Sequence, residues 1–205
     1  MENCEQHAAH TNTAIGPELR HWLGDEPRAE RTLVFTDLVD STIHLLRLGD
    51  AAWTTLLNAL DGVRRDLIDE LGGHLASVAG DGALAAFDST DQAVEFCEAF
   101  RAACLLLGLE VRSGIHRSSV ETRETGDLAG IGVHLTARIQ AAAAPGQILA
   151  SDSAANTSTR PFINCGSREL KGFPTPVDVY QPFDGNAIAT AMMIGASVDG
   201  AKTAA

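Results

Sequence analysis

The spacing of apolar positions changes several times along the chain, and each change marks an element. Thr32 to Thr36, built on Leu33-Val34-Phe35, reads as a strand that ends at Thr36-Asp37. Asp40 follows, and Ser41 or Thr42 is placed to cap a short helix that Gly49 ends. From Asp50, Trp53, Leu56, Leu57, Leu60, Val63, Leu67 and Leu71 follow a 3.6-residue period and predict a long helix stopped by Gly72-Gly73. Two short apolar runs, Leu75 to Ala79 and Ala83 to Phe87, flank Gly80-Asp81-Gly82 and predict a hairpin, because tight turns need positive φ. A further helix starts after Ser89-Thr90, with Ala93, Val94, Cys97, Phe100, Cys104 and Leu107 on its stripe. Leu109 to His116 reads as a strand paired with Ser119 to Thr122. A helix from about Gly130 to Ala143, a short strand from Gln147 to Ala150, and a closing pair, Phe162 to Leu170 and Val177 to Tyr180, complete the pattern.

This order is α+β, with a βαββαβ core of ferredoxin-like type: a mixed sheet with helices on one face. A right-handed crossover makes the first two strands parallel. The carboxyl end of the first strand and the turn after the second then share one edge of the sheet. Asp37 and Asp81, distant in sequence, are expected to meet there. Residues 1–27 read as a flexible leading segment, 28–183 as the folded domain, and 184–205 as an Ala/Gly-rich tail without clear period. Gly16 to Gly24 has the makings of a short helix with Leu19, Trp22 and Leu23.

Composition narrows the partners. Hydrophobic residues are 45% and charged residues 20%, enough apolar material for a real core. The net charge of -12, with no basic patch, argues against duplex DNA or an anionic membrane as partner. A nucleoside triphosphate stays open, since a divalent cation can supply positive charge. No run approaches the roughly 20 apolar residues of a membrane span, and no secretory signal is read at the start. Four scattered cysteines suit a reducing cytoplasm. Cys97 and Cys104, two turns apart on an apolar stripe, read as core thiols. Cys4, His7 and His10 could bind a transition metal, though three ligands at a terminus fit an adventitious site as well.

Two converging carboxylates allow acid–base chemistry or the holding of hard cations. Magnesium prefers a few carboxylates plus substrate phosphates, and paired ions about 3.5–4 Å apart suit phosphoryl transfer. Taken singly, Asp37 reads equally as a helix cap and Asp81 as a turn residue.

Together the motifs are more specific. Phe35-Thr36-Asp37-Leu38-Val39-Asp40-Ser41-Thr42 followed by Gly80-Asp81-Gly82 resembles the class III nucleotide cyclase catalytic domain, bacterial members above all. Gly130-x-x-Val133-His134-x-x-Ala137-Arg138 resembles that family's fourth helix, and Glu169-Leu170-Lys171-Gly172, with a later Pro and Tyr180, its closing hairpin. The resemblance implies conversion of a nucleoside triphosphate to a 3′,5′-cyclic nucleotide and pyrophosphate. It implies two Mg²⁺ or Mn²⁺ ions on Asp37 and Asp81, phosphate oxygens cradled by backbone amides near Val39 to Thr42, at the start of the helix that Ser41 or Thr42 caps, Lys171 on the polyphosphate, and Arg138 stabilising transition-state charge. It also implies a homodimer with two composite sites. His134 and Arg138 are i, i+4 neighbours on one face, with Ile131, Leu135, Ile139 and Ala142 on another. A packing role for His134 and a surface ion pair for Arg138 are the plainer alternatives.

Three positions depart from the family pattern. Ser77 stands where adenylate cyclases carry a base-reading lysine, with Asp127 as its partner. Asp127 can accept from the adenine amino group and would repel guanine's oxo group, so ATP is favoured over GTP. His134 replaces the usual asparagine and can donate one hydrogen bond when neutral. Asp40 stands where glycine is common. The expectation is a modest adenylate cyclase, the alternative a degenerate domain that binds nucleotide or dimerises without turnover.

Overall fold

The computed structural model describes residues 28–122 and 128–183. The Cys4/His7/His10 segment, the helix expected between Gly16 and Gly24, Asp127 and the tail from 184 lie outside the described residues. Along the chain come β1 (Arg28–Leu38), α1 (Ser41–Leu48), α2 (Asp50–Glu70), β2 (His74–Ala79), β3 (Gly82–Phe87), α3 (Thr90–Leu106), β4 (Val111–Thr122), β5 (Leu128–Ala129), α4 (Ile131–Ala142), β6 (Ile148–Ser151), α5 (Asp152–Ala155), β7 (Phe162–Arg168) and β8 (Val177–Pro182).

The sheet runs in the order β2-β3-β1-β4-β6-β8-β7, with β5 paired to β4. Among the described residues only β4 and β6 pair in parallel. β1 and β2 point the same way, as the crossover requires, but β3 inserts between them, antiparallel to both. The hairpin forms over Gly80-Asp81, with Ala79 opposite Gly82. Its left-handed residue is Gly80 (φ 64°), not Gly82.

Four expectations need correction. Leu109 to His116 and Ser119 to Thr122 are not two paired strands; β4 is one continuous strand matched to β1 from Arg28↔Glu121 to Leu38↔Val111. No turn forms at Arg117-Ser118, because the long partner strand keeps both residues in register, opposite Thr32 and Arg31. The cap of α1 is neither Ser41 nor Thr42 but Asp40, at φ 54° and without a side-chain cap bond. In α2 the buried line is Trp53, Leu60, Arg64 and Ile68, whereas Val63 is 38% exposed. On α4, Ile131 is 72% exposed and the buried face is Gly132, Thr136, Ile139 and Gln140.

The alternation along β1 assigns the two faces of the sheet. Val34 and Leu38 belong to the main core with Leu60 and Ile68 of α2 and Phe96, Cys97, Phe100 and Cys104 of α3. Phe96 lies between Phe87 and Phe100 at centroid distances of 5.4 and 5.8 Å. The thiols of Cys97 and Cys104 are free and buried, as expected of core residues. α2 and α3 thus share one face; α4 adds a layer on the other. There Leu33, Leu84 and Val120 pack with Val133, and Ile139 packs with Leu149 and Val179. Glycine permits this second layer. A Cβ on Gly114 would stand 2.3 Å from the backbone N of Gln140, so α4 lies directly on β4. Under the first turn of α4, the His116 ring is held through Nδ1 by Ser151 Oγ (2.8 Å) and Ser153 Oγ (3.2 Å). Burial pushes that imidazole down to about 4.

Candidate active site

Asp37 stands near the end of β1 on the α4 face. The register Thr36↔Ala83 sets it across from Gly82, one residue from Asp81. A Cβ on Gly82 would lie 3.7 Å from Asp37 Oδ1 and 3.2 Å from the Thr36 carbonyl, so glycine keeps the approach open. The two acidic positions therefore meet at one sheet edge through strand register alone.

Each carboxylate has a different environment. Asp37 Oδ2 accepts from Arg112 Nη2 at 2.5 Å, in a pair whose side chains are 34% and 31% exposed. Asp81 Oδ2 is buried and has no hydrogen-bond partner. A buried carboxylate oxygen without a donor is costly in that state, and a cation at that oxygen would satisfy it. Among the described residues no cluster of three or more His, Cys, Asp or Glu forms. Two carboxylates with free positions suit magnesium or manganese, which keep water and phosphate oxygens in their shells. The residues present fit such an ion.

Asp81 is held from behind. Arg64, on α2, donates from Nη2 to the Asp81 carbonyl at 3.0 Å and from Nη1 to Asp61 Oδ1 at 2.5 Å. Its guanidinium lies 5.0 Å from the centre of the Phe100 ring. Burial draws Arg64 below its ordinary value, and neighbouring Asp61 opposes that shift. The apolar stripe that predicts α2 gives no sign of this residue. Arg112 is equally silent in the sequence; its basic side chain becomes meaningful only once β4 is registered opposite Asp37.

Ser41 and Thr42 open α1 directly beyond Asp37. The Val39 amide is taken by the Glu110 carbonyl at 2.9 Å, and the Ile43 amide by the Asp40 carbonyl at 2.8 Å; the amides of Asp40, Ser41 and Thr42 between them precede the first intrahelical bond of α1. Asp40 is the only non-glycine residue described with positive φ, which explains why glycine suits that position. Ser77 lies exposed on the outer strand β2, opposite Leu84 beside a bulge.

The remaining predicted residues lie apart. His134 and Arg138 sit together on the exposed side of α4 beside Ile131, and neither has an ion pair or hydrogen bond among the described residues. Lys171 is exposed in the turn between β7 and β8. Those strands are three and four places from β1, about 14–19 Å at ordinary strand spacing. One chain does not bring Lys171 to Asp37.

No protein-family model matches the chain. An uncharacterized protein of Mycobacterium tuberculosis is 33% identical over 159 residues, covering 73% of this chain; the chain spans only 40% of that relative's length. A putative adenylate cyclase of Rhizobium meliloti is 28% identical over 153 residues, 69% of this chain and 24% of that protein. Among solved structures, the adenylyl cyclase CyaB from P. aeruginosa superposes with a TM-score of 0.71 at 24% identity, over 77% of this chain and 95% of that one. The guanylate cyclase domain of RhGC from Catenaria anguillulae, solved with GTP, gives 0.69 at 20% identity, over 75% and 96%. The chain therefore shares the fold of solved adenylate and guanylate cyclase catalytic domains.

Proposed function

We propose that this chain is a nucleotide cyclase domain that converts ATP to 3′,5′-cyclic AMP and pyrophosphate as a homodimer. The observation that carries the reading is the meeting of Asp37 with the Asp81 turn, where Asp81 Oδ2 is buried and unpartnered. Divalent ions bound there would acidify the ribose 3′-hydroxyl and neutralise phosphate charge. The 3′-oxygen bonds to the α-phosphorus, the bond from that phosphorus to the bridging oxygen breaks, pyrophosphate leaves, and the hydroxyl proton passes to water. The amides at the start of α1 orient phosphate oxygens. Arg112, beside Asp37, supplies fixed positive charge at the same edge. Arg138 from the second chain stabilises charge as it develops, His134 donates to the sugar or phosphate next to it, and Lys171 from the second chain binds the polyphosphate. The exposed His134/Arg138 face and the wide separation of Lys171 from Asp37 support a site shared by two chains. Asp127 and Ser77 read the base, with ATP preferred to GTP.

The test is product formation by the purified protein with ATP or GTP and Mn²⁺ or Mg²⁺, resolved by mass spectrometry, with Asp37→Ala as control. Cyclic AMP that disappears in the control is the expected result. A folded dimer that forms no product with either metal would sink the enzyme reading. The second reading, a domain that binds nucleotide without turnover, draws on the short, exposed Ser77. Ser77→Lys separates the two: a gain in cyclic AMP places the weakness in base reading, while unchanged inactivity with ATP bound favours the non-catalytic domain.

A further inference from the structure

Arg64 is the anomaly of the main core. It occupies a line of α2 otherwise made of Trp53, Leu60 and Ile68, and its side chain is 1% exposed. An apolar side chain of similar length would fill that line without the desolvation cost of a cation. What the guanidinium adds is direction. One arm is fixed by Asp61, the plane rests near Phe100, and the other arm ends on the Asp81 carbonyl. The turn it grips is Gly80-Asp81-Gly82, in which Asp81 lies between two residues without Cβ, one of them the left-handed Gly80. Such a turn has little intrinsic preference for one geometry. The same residue carries the buried, unpartnered Oδ2.

From this geometry we infer that Arg64 is a positioning residue: it clamps the Asp81 turn from inside the core and so fixes the carboxylate that receives the divalent cation. The inference rests on the metal-site reading above. Asp61 is the outer support of the clamp, partly exposed at 27%, and therefore able to take solvent if Arg64 is removed. The clamp acts on the backbone, so it aligns Asp81 without competing for its carboxylate oxygens.

The experiment compares wild type with Arg64→Met, which restores the apolar line, and Arg64→Lys, which keeps the charge but loses the fork. Two readouts are taken on the full chain. Hydrogen exchange of the metal-free protein follows the amides of residues 80–83, and Mn²⁺ binding in the presence of α,β-methylene-ATP is followed by electron paramagnetic resonance. Expected for Arg64→Met is exchange at the turn faster by about tenfold and Mn²⁺ affinity weaker by about tenfold or more, with exchange in β4 unchanged. Arg64→Lys falls between the two. Turn exchange and Mn²⁺ affinity equal to wild type would overturn the inference. If Arg64→Met does not fold, Asp61→Asn, which loosens the outer support, carries the same test with a smaller shift in the same direction. A wild-type protein that binds no Mn²⁺ removes the metal site itself. In that case the exchange arm still decides whether Arg64 holds the turn, so the two failures are told apart.

Discussion

Gly114→Ala is the sharpest probe of how α4 is positioned. The added methyl would stand 2.3 Å from the backbone N of Gln140 and 2.7 Å from its Cα and Cβ. Relief requires α4 and β4 to separate by about 1 Å to reach ordinary contact. The obstacle is helix backbone, so rotation of a flexible side chain gives no escape. Overpacking of this kind costs about 1–3 kcal/mol, which lowers Tm by roughly 2–12 °C for a domain of this size. The functional loss is expected to be larger in proportion, because Gln140 is two residues from Arg138 and the shift is passed to the helix that carries it. Misplacement by about 1 Å costs on the order of a hundredfold in rate. Thermal unfolding with cyclic nucleotide formation at saturating ATP gives both quantities. A variant with wild-type Tm and rate would refute the close contact of α4 with β4 and the argument built on it.

Three further outcomes follow from the same geometry. Asp40→Gly relieves a left-handed residue and Asp40→Ala does not, so their unfolding free energies in urea should differ by about 1 kcal/mol in favour of glycine; Asp40→Gly also removes negative charge beside the α1 amides and should lower the KM for ATP. His116 is held neutral, with its folded value depressed to about 4 from 6.5; protonation therefore favours the unfolded chain, and stability is full above pH 6.5, falls by roughly 3 kcal/mol toward pH 4 and then levels off. Urea titrations across that window should show the slope, reduced in His116→Asn; burial depresses His74 as well and adds to it with the same sign. If the sites are composite, Asp37→Ala and Arg138→Ala are each inactive alone, yet mixing them refolds heterodimers with one intact site and restores about a quarter of wild-type activity; no recovery would place both residues in one chain's site.

The parts of the fold legible in the sequence are those written in short-range patterns. The hairpin over Gly80-Asp81, the stripe of α3 up to Cys104 and the convergence of Asp37 with Asp81 follow from turn chemistry, period and the handedness of a crossover; Leu107, read as the last member of that stripe, lies past the helix end and is 49% exposed. What stays hidden is decided across the sheet. Nothing local distinguishes a hairpin at Arg117-Ser118 from one long strand; the eleven paired residues of β1 settle it. Ile131 reads as a packing residue by period alone, but the glycine-permitted approach at Gly114 and Gly132 turns α4 so that Ile131 faces outward. Arg64 and Arg112 are charged residues with ordinary local surroundings in sequence; beyond the i,i+3 pair of Arg64 with Asp61, the contacts that tie them to the site lie 17 and 75 residues away. Asp127, which the family resemblance implies as a base-reading residue, lies outside the described residues.

The helix α1 has eight residues, none of them buried, and sits between two residues of positive φ, Asp40 and Gly49. Its hold on the rest is the Val39–Glu110 hydrogen bond, the packing of Leu45 and the stacking of His44 on Trp53 at 6.2 Å. A helix of this length has little cooperativity of its own. It should therefore be the first element to open, with a local free energy far below that of the β1–β4 ladder. Any ligand that uses its amides must bind the ordered form, so observed affinity is lowered by the open fraction. Substitutions that stiffen α1, far from any reacting atom, would then tighten nucleotide binding without a new contact.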